Sequence, residues 1–499
     1  MRYDKAGRVE HALLSFLWGL FGLSIVLLVW QIIAPQPIHV PGITIDRLSA
    51  SITLVVAGVG AVSYRFALRY LDGEPRQRQF LRWLAFTVGS AYILMPATNL
   101  ALLFTVWFLT SFGLHQLLTF YRERSEAFPP ARKKFLISRL GDIALLAAIG
   151  MIGLGWGTLD LEVFLSRVTE SGVGPFTPTV VAVLIVIAAL TKSAQVPFHS
   201  WLPETMEAPT PVSALMHAGI INAGGVLLLH FAPLLVTVPI ALLLLSLIGT
   251  LTAMLGMVAM WAQTNIKRSL AWSTVSQMGF MMLQFGLAAF PAAILHLLGH
   301  GCYKAWSFLR TGDLPKQAPA PPVAPARSMM MGLTGTLLAI PALWLGTLMT
   351  GFDPFQSPGK LALCVVVALA IGQLWIAIFR TPTYANANML SGSALAFLTT
   401  MIIGILAVAL YEGAEIFFTP VWGGLVVPAG PLVWAAAALP MVGFVLMVVL
   451  YTLLPTFSRT PAGRAFYVYA LHGFYFGAIA DRLVERIWNN FAVRRVEHA

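Results

Sequence analysis

The fold is decided by one stretch, Lys192-Ser-Ala-Gln-Val-Pro-Phe-His-Ser-Trp-Leu-Pro-Glu-Thr-Met-Glu-Ala-Pro-Thr-Pro-Val-Ser-Ala-Leu-Met-His217. Apolar runs flank it on both sides, and four prolines interrupt it. Proline removes a backbone donor and clashes with the preceding turn, so we expect a helix to break or kink here. A charge is costly in a bilayer, and irregular backbone persists at membrane depth only inside protein or beside water. Lys192 beside a broken helix therefore predicts a path for ions or protons.

Composition places the chain among polytopic membrane proteins. Of its 499 residues, 58% are hydrophobic and only 10% are charged, and the mean hydropathy is +0.81, whereas a soluble chain carries about 25% charged residues. The net charge of +11 does not indicate nucleic-acid binding, because basic residues of membrane proteins gather in cytoplasmic loops. Cys302 and Cys364 lie in separate apolar stretches, too few to hold an iron–sulfur cluster or a zinc ion. No glycine-rich nucleotide motif occurs. The sequence predicts neither metal nor cofactor.

The gaps between charged residues predict the membrane spans, since about 20 residues cross a bilayer. The segment 83–121 carries no Asp, Glu, Lys or Arg, and one straight helix of that length would reach about 58 Å. It is therefore expected to fold as a hairpin with its corner at Pro96-Ala-Thr-Asn99. Continued along the chain, this pattern predicts an all-α polytopic membrane protein with 13–14 transmembrane helices. His11–Ile33 is too long for a signal-peptide core and is predicted to be a retained first helix.

Basic residues predict the orientation. Two clusters, Arg65–Arg82 and Arg122–Arg139, lie in loops on one side, and the second cluster includes Lys133 and Lys134. The opposite loops hold few basic residues, Arg167 and Lys360 among them, so the basic side and both termini are expected in the cytoplasm. The predicted organisation is an N-terminal helical region (1–82), a charge-path core (83–310), a Pro/Ala-rich cytoplasmic linker (311–328), C-terminal helices (329–458) and a tail (459–499).

The tail mixes aromatic and charged residues from Tyr467 to Phe491. An amphipathic helix on the membrane surface is the favoured interpretation. A docking helix for a partner protein is the alternative, and the two are compatible.

The first candidate site residues belong to the broken stretch. A buried Lys192 ammonium can load and release a proton as carboxylates approach or water enters; a lysine with its ammonium among the lipid headgroups is the alternative. Glu204 and Glu207 are three residues apart and share a face if their segment is helical, although they could equally lie in a solvated loop. Pro197, Pro209 and Pro211 are expected to maintain the break.

A second group of candidates is the stripe formed by His296, His300 and Lys304. Spacings of four place all three side chains on one helix face. Histidine titrates near neutral pH, so such a stripe in a membrane helix is a plausible proton relay. Polar contacts between helices are the structural alternative. Zinc binding is disfavoured because no third ligand is close in sequence.

Three further residues complete the candidate set. His217 is expected to be buried opposite the break, where the same two interpretations apply. Lys267 could belong to the path or could be an ordinary cytoplasmic-loop charge. Asp142 follows Arg139 by three residues, which predicts an ion pair at the start of a helix.

Several motifs, in one order, resemble the antiporter-like membrane subunits, which include the proton-pumping subunits of respiratory complex I and the Mrp cation/proton antiporters. The resemblance implies a broken-helix lysine at Lys192, an ionisable site at His217, and a relay through Lys267 and the stripe. The motifs are Lys192-Ser-Ala-Gln-Val-Pro, Glu207-Ala-Pro-Thr-Pro-Val-Ser-Ala-Leu-Met-His217, Gln263-Thr-Asn-Ile-Lys-Arg268 with Ser273-Thr-Val-Ser-Gln-Met-Gly279, and His296-x3-His300-x3-Lys304.

Two departures argue against the standard pumping cycle of complex I. Pumping members carry a glutamate directly after the tryptophan that corresponds to Trp107, and this chain has Phe108 there. They also carry a second broken helix with a lysine after the linker, for which Ala342–Lys360 shows no clear counterpart.

Further motifs extend the resemblance over essentially the whole chain. They are similar to the DabB family, the membrane subunits of two-component bacterial inorganic-carbon transporters. That similarity implies an inner-membrane protein without its own enzymatic activity, in which a cation gradient, in the first place of protons, energises a DabA-like zinc partner resembling a carbonic anhydrase. A subunit of a multi-component Na+/H+ antiporter, a complex-I-like pump and a non-conducting anchor are the alternatives. The motifs are Tyr70-Leu-Asp-Gly-Glu-Pro-Arg-Gln-Arg-Gln-Phe80, Tyr469-Ala-Leu-His-Gly-Phe-Tyr-Phe476 and Asp481-Arg-Leu-Val-Glu-Arg486.

Overall fold

The computed structural model describes residues 7–171, 178–312, 325–380 and 389–496, and these ranges form an all-α membrane fold. Most of the predicted linker (311–328) lies outside the described residues. The helices are α1 (Arg8–Ile33), α2 (Arg47–Tyr70), α3 (Gln77–Leu94), α4 (Leu100–Leu118), α5 (Phe128–Trp156), α6 (Leu161–Ser171), α7 (Pro178–Lys192), α8 (Thr210–Ala218), α9 (Ala223–His230), α10 (Ala232–Thr237), α11 (Pro239–Ala262), α12 (Ile266–Gly286), α13 (Phe290–Leu309), α14 (Pro325–Thr350), α15 (Pro358–Arg380), α16 (Met389–Trp422), α17 (Pro431–Phe457), α18 (Pro461–Leu471) and α19 (Phe476–Val496).

Within the described ranges, ten helical segments are long and apolar enough to cross a membrane. The sequence-based count of 13–14 is larger because it also includes α3, α7, α12 and α13, which are shorter or more polar. One element departs from the all-α expectation. Strands β1 (Ile38–Val40) and β2 (Ile43–Ile45) pair antiparallel around Gly42, whose φ of 79° suits the residue without a side chain.

The predicted hairpin of residues 83–121 is confirmed. Helix α3 ends at Leu94, and α4 begins at Leu100. The side chain of Asn99 caps α4, because its Oδ1 accepts hydrogen bonds from the backbone N–H groups of Ala101 and Leu102 at 3.0 and 3.1 Å. Asparagine at this position satisfies donors that the first helical turn leaves free.

The predicted helix break is also present. Helix α7 ends at Lys192, and Ala194 takes a left-handed conformation with φ of 49°. A 3₁₀ turn from Leu202 to Glu207 interrupts the irregular segment that follows. Pro209 immediately precedes α8, and Pro211 lies in its first turn, where a missing N–H costs no helical hydrogen bond. Pro209 and Pro211 therefore mark the start of α8, whereas α7 ends at Lys192, before the first proline of the stretch.

Helices α11 and α12 pack backbone against backbone. A Cβ atom on Gly249 would lie 2.7 Å from the Gly279 carbonyl oxygen, and one on Gly279 would lie 2.4 Å from the Ala253 nitrogen. Gly256 and Gly286 make equally close approaches, each seven residues further along its helix. Small residues at such spacing let membrane helices approach closely. This contact fixes the position of α12 in the bundle.

The tail folds back onto the broken stretch. Helices α18 and α19 meet at Gly473, whose φ is 58° and whose Cα lies against the Trp272 ring, leaving no room for a Cβ. On α19, Ile479, Leu483 and Ile487 are exposed at intervals of four residues. These three apolar side chains on an otherwise charged helix give α19 the expected amphipathic form. Such a face can contact either the membrane surface or a partner protein.

Lys133 fastens the tail to the break. Its Nζ lies 2.6 Å from Glu204 Oε2 and 2.8 Å from Asp481 Oδ1, and the lysine side chain is fully buried. The assignment of Lys133 and Lys134 to a cytoplasmic loop is therefore wrong. Both residues lie inside α5 and are buried, because α5 begins already at Phe128 and packs this turn against other helices.

We expect Gly279→Ala to destabilise the protein, because the added methyl group collides with the α11 backbone. Overpacking of this kind costs about 1–3 kcal/mol. Gly299→Ala is the matched control, since nothing lies within 4 Å of a Cβ at that position and alanine favours helix. Thermal unfolding in detergent should show a lower midpoint for the first variant alone. Equal midpoints would contradict the close contact.

We expect Lys133→Gln to loosen the tail, because Asp481 and Glu204 then face each other without the intervening ammonium. Trypsin should cut faster after Arg482 and Arg486 in this variant. Arg122→Gln, which changes an exposed cation on the same side of the molecule, serves as the control. Unchanged cleavage of Lys133→Gln would show that the tail is held by other contacts.

Candidate charge path

Lys192 points into the helix bundle. Its Nζ donates to Ser111 Oγ at 2.8 Å and to the Trp107 carbonyl oxygen at 3.1 Å. The same atom lies 4.2 Å from the centroid of the Trp107 ring, within the range of a cation–π interaction. Only 8% of Lys192 is exposed. The last residue of α7 therefore places a buried ammonium against α4.

Asp142 is the carboxylate on the other side of Trp107. The indole Nε1 donates to Asp142 Oδ1 at 3.0 Å, and Arg139 Nη2 lies 2.7 Å from Asp142 Oδ2. The predicted Arg139–Asp142 ion pair is thus present, but it lies in the middle of α5 and not at the start of a helix, because α5 begins already at Phe128. The Arg139 guanidinium also lies 4.4 Å from the Phe108 ring centroid. Phe108, whose ring lies under Arg139, thus occupies the position for which the resemblance implies a glutamate.

Lys134 joins this network, although the sequence analysis placed it in a loop. Its Nζ donates to the Ser111 carbonyl oxygen at 2.8 Å, so two buried lysines bind the same serine through different oxygens. Lys134 precedes Asp142 by eight residues, close to two helical turns. In a helix that begins at Phe128, this spacing places Lys134 and Asp142 on similar faces, so it could have indicated from the sequence that the two residues belong to one network.

Glu204 and Glu207 take separate partners, neither of which is Lys192. Glu204 pairs with Lys133, and Arg124 Nη1 donates to Glu207 Oε2 at 2.7 Å. Burial raises the pKa of Glu204 above its ordinary value, while the nearby Lys133 ammonium opposes that shift. The two carboxylates therefore lie at the end of the break that faces the tail.

The predicted stripe on α13 is continuous. The rings of His296 and His300 are 5.7 Å apart between centroids. His296 Nδ1 lies 2.9 Å from Gln284 Oε1, a polar partner on α12 that the sequence analysis missed. At the other end, Lys304 is buried and its Nζ donates to the Leu270 carbonyl oxygen at 3.1 Å. Helix α12 thus contacts both ends of the stripe.

His217 lies beside the stripe. Its ring stacks on Phe308 of α13 with 4.3 Å between centroids and 15° between planes. Gly301 permits this approach, because a Cβ there would lie 2.8 Å from the Ala218 carbonyl oxygen. Neither His217 nor His300 has a hydrogen-bond partner for its ring nitrogens among the described residues. Buried polar atoms are nearly always satisfied by protein or water, so these nitrogens mark positions suited to water or a mobile proton.

Lys267 lies at the start of α12 and connects this helix to the broken segment. Its Nζ donates to Thr210 Oγ1 in the first turn of α8 at 3.1 Å. Since Leu270 lies one turn further along α12, the same helix end contacts both the broken segment and Lys304.

His199 lies within the same stretch, 192–217, but was not among the predicted site residues. Its ring is buried between Trp272 and Phe476, at centroid distances of 5.5 and 5.3 Å. The tail therefore covers the break directly. In the described ranges, no three His, Cys, Asp or Glu side chains come together as a metal site.

Comparison with known proteins shows what the chain is similar to. Residues 97–318 match the model of the NADH:quinone oxidoreductase/Mrp antiporter transmembrane family. The probable inorganic carbon transporter subunit DabB2 of Halothiobacillus neapolitanus is 39% identical over 71% of this chain and 65% of its own length. The corresponding DabB of Hydrogenovibrio crunogenus is 34% identical over 66% of this chain and 64% of its own length. The chain thus spans slightly less than two thirds of these relatives.

Solved structures agree on the fold. The Mrp complex from Dietzia sp. DQ12-45-1b superposes with a TM-score of 0.61 at 25% identity, covering 98% of this chain and 60% of that chain. Respiratory complex I from Thermus thermophilus gives a TM-score of 0.50 at 22% identity, over 90% of this chain and 93% of that chain. The matched segment contains every motif from Lys192 to Lys304. The chain is accordingly an integral membrane protein whose residues 97–318 are similar to the antiporter-like family and which resembles inorganic carbon transporter subunits among these relatives.

Proposed function

We propose that this chain is the proton-conducting membrane subunit of a bacterial inorganic-carbon uptake system. The observation that carries the proposal is Lys192, an ammonium buried at a helix break and held by Ser111 and Trp107. Ionisable residues in membrane spans are rare and mark ion or proton pathways. The names of the similar DabB subunits supply the inorganic-carbon part of the proposal.

The path has two parts that meet at α8. Lys192 and Asp142 form the first part, in which the Trp107 indole bridges cation and carboxylate. His296, His300 and Lys304 form the second part, with His217 beside it. Because the break leaves backbone groups unpaired, it can admit water between the two parts. A proton moves between neighbouring groups as each takes it up and releases it in turn.

The departures from pumping relatives favour conduction over a full pumping cycle. Phe108 cannot ionise, so Asp142 on the adjacent helix α5 provides the nearest carboxylate for Lys192. Helix α14 continues through Pro341 without a break and carries no lysine. We propose that protons flow down their gradient through the first lysine and the stripe, and that this flow energises the partner.

The partner in this proposal is a DabA-like zinc subunit that resembles a carbonic anhydrase and carries out the hydration of CO2. Helices α18 and α19 are its docking surface, since their exposed apolar stripe lies next to the Lys133 contact with the break. The complex belongs to the bacterial inner membrane, with both termini of this chain in the cytoplasm.

A subunit of a multi-component Na+/H+ antiporter is the second candidate function. The superposition on the Mrp complex over 98% of the chain favours it. This function predicts that the chain, expressed with its neighbouring subunits, confers salt resistance on an antiporter-deficient host. The first candidate function predicts growth that depends on inorganic carbon.

We expect Lys192→Ala and His300→Ala each to abolish rescue of a host that lacks carbonic anhydrase and grows in air, with the zinc partner supplied. Each substitution removes a titratable group from the path. His11→Ala, which changes an exposed histidine, should leave rescue intact. All variants must accumulate to the same level in the membrane. Normal growth of both path variants would refute the assignment.

We expect Asp142→Asn to slow proton flux in vesicles by about tenfold, equivalent to ~1.4 kcal/mol in the barrier. The asparagine can still accept the Trp107 hydrogen bond but no longer balances the nearby cations. Asp72→Asn, at an exposed position, is the control. Flux is measured with a pH-sensitive dye after imposition of a pH gradient. Wild-type flux in Asp142→Asn would remove this carboxylate from the path.

A further inference from the structure

A cavity of about 350 Å³ opens beside the turn between α12 and α13. This turn lies at the opposite end of α12 from Lys267, and therefore on the face away from the basic loops. The cavity walls come from the turn Leu287–Pro291, the start of α15 and the end of α16. No role has been given to any of these side chains in the charge path described above.

The polar wall of the cavity is an ion pair. Lys360 Nζ lies 2.9 Å from Glu415 Oε2 and donates to Gln356 Oε1 at 2.6 Å. The ammonium also lies 5.1 Å from the Phe352 ring centroid. Glu412 precedes Glu415 by three residues on α16, so its side chain falls on a similar face one turn deeper. A lysine and two carboxylates thus converge where α15 and α16 meet.

The charge of this group favours a cation. In the cavity lining Lys360 contributes one positive charge and Glu415 one negative charge. Glu412, which lies one turn deeper on α16 outside the lining, adds a second negative charge, so the three side chains together carry a net charge of −1. Lys360 is the only basic residue in the cavity lining. An anion such as bicarbonate would therefore meet repulsion, whereas a proton or a hydrated cation would be attracted.

The cavity lies close to the His296 end of the stripe. Pro291 is part of the cavity wall, and His296 follows it by five residues on α13, about 7.5 Å along the helix axis. On the other side of the turn, Gln284 lies one helical turn before Leu287 and contacts His296 at 2.9 Å. The shortest way from this face to the stripe therefore runs past the α12–α13 turn.

We propose that this cavity is the mouth of the charge path on the face opposite the basic loops, with Glu415 and Glu412 as the proton-exchanging groups. A proton from water binds a carboxylate oxygen, and the carboxylate then releases it toward His296, whose free ring nitrogen takes it up. Lys360 keeps Glu415 oriented between these steps. This inference rests on the proposed proton conduction and extends it to a site with named residues.

A second cavity on the same face, of about 250 Å³, is a weaker candidate. Glu162 in its wall already accepts a hydrogen bond from Thr44, and His230 Nε2 lies 2.8 Å from the Met95 carbonyl oxygen. Its walls include no residue of α12 or α13. It provides a matched control carboxylate for the first cavity.

The test measures proton flux in proteoliposomes that contain the purified complex, with a pH-sensitive dye inside. The double variant Glu412→Gln/Glu415→Gln should lose most of the flux, whereas Glu162→Gln should retain it. Wild-type flux in the double variant would overturn this inference alone. Absence of flux in the wild-type complex would refute the proposed conduction and this inference with it.

A second experiment blocks the cavity in the folded protein, so that loss of access to the cavity is distinguished from misfolding of a variant. Thr419 lines the cavity, and Thr419→Cys is introduced into a Cys302→Ser/Cys364→Ala background. A membrane-impermeant, positively charged thiol reagent added on the cavity side should stop flux in this variant after labelling. Val163→Cys, exposed on α6, should be labelled without loss of flux. Complete labelling of Thr419→Cys with unchanged flux would overturn the inference.

Discussion

The structure depends on keeping a lysine ammonium inside a helix bundle. A buried cation is tolerated only where acceptors surround it. Here the acceptors are a serine hydroxyl, a backbone carbonyl and an indole face, all on α4. Ending α7 at Lys192 brings the ammonium to them, and it also leaves backbone groups that must be satisfied by neighbouring helices. The break and the buried charge are therefore two parts of one arrangement.

Helix α12 relates the remaining charged groups to this break. Its glycines hold it directly against α11, so it has little freedom to shift. From that position it offers Lys267 to the first turn of α8, the Leu270 carbonyl to Lys304, and Gln284 to His296. The last two of these contacts set the depth and rotation of the stripe, and the first connects α12 to α8. A packing contact without ionisable groups thus positions much of the proposed path.

The carboxylate nearest to the buried lysine lies on a neighbouring helix, across Trp107. Phe108, where the resemblance implies a glutamate, lies beneath Arg139, and Asp142 on α5 pairs with the same arginine. The indole of Trp107 connects it to the lysine side of the network. Among the described residues, α14 is continuous through Pro341 and carries no lysine, so it offers no second counterpart of the Lys192 break.

The sequence by itself determined the features that depend on neighbours along the chain. Pro209 and Pro211 set the start of α8, spacings of four aligned His296, His300 and Lys304, and a spacing of three paired Arg139 with Asp142. Only the tertiary structure decided which helices these faces meet. It buried Lys133 and Lys134 inside α5, placed Trp107 between Lys192 and Asp142, and brought Gln284 to His296. The physical reason is that backbone geometry fixes the face on which a side chain lies, whereas its partner comes from segments up to hundreds of residues away, through packing that local patterns do not encode.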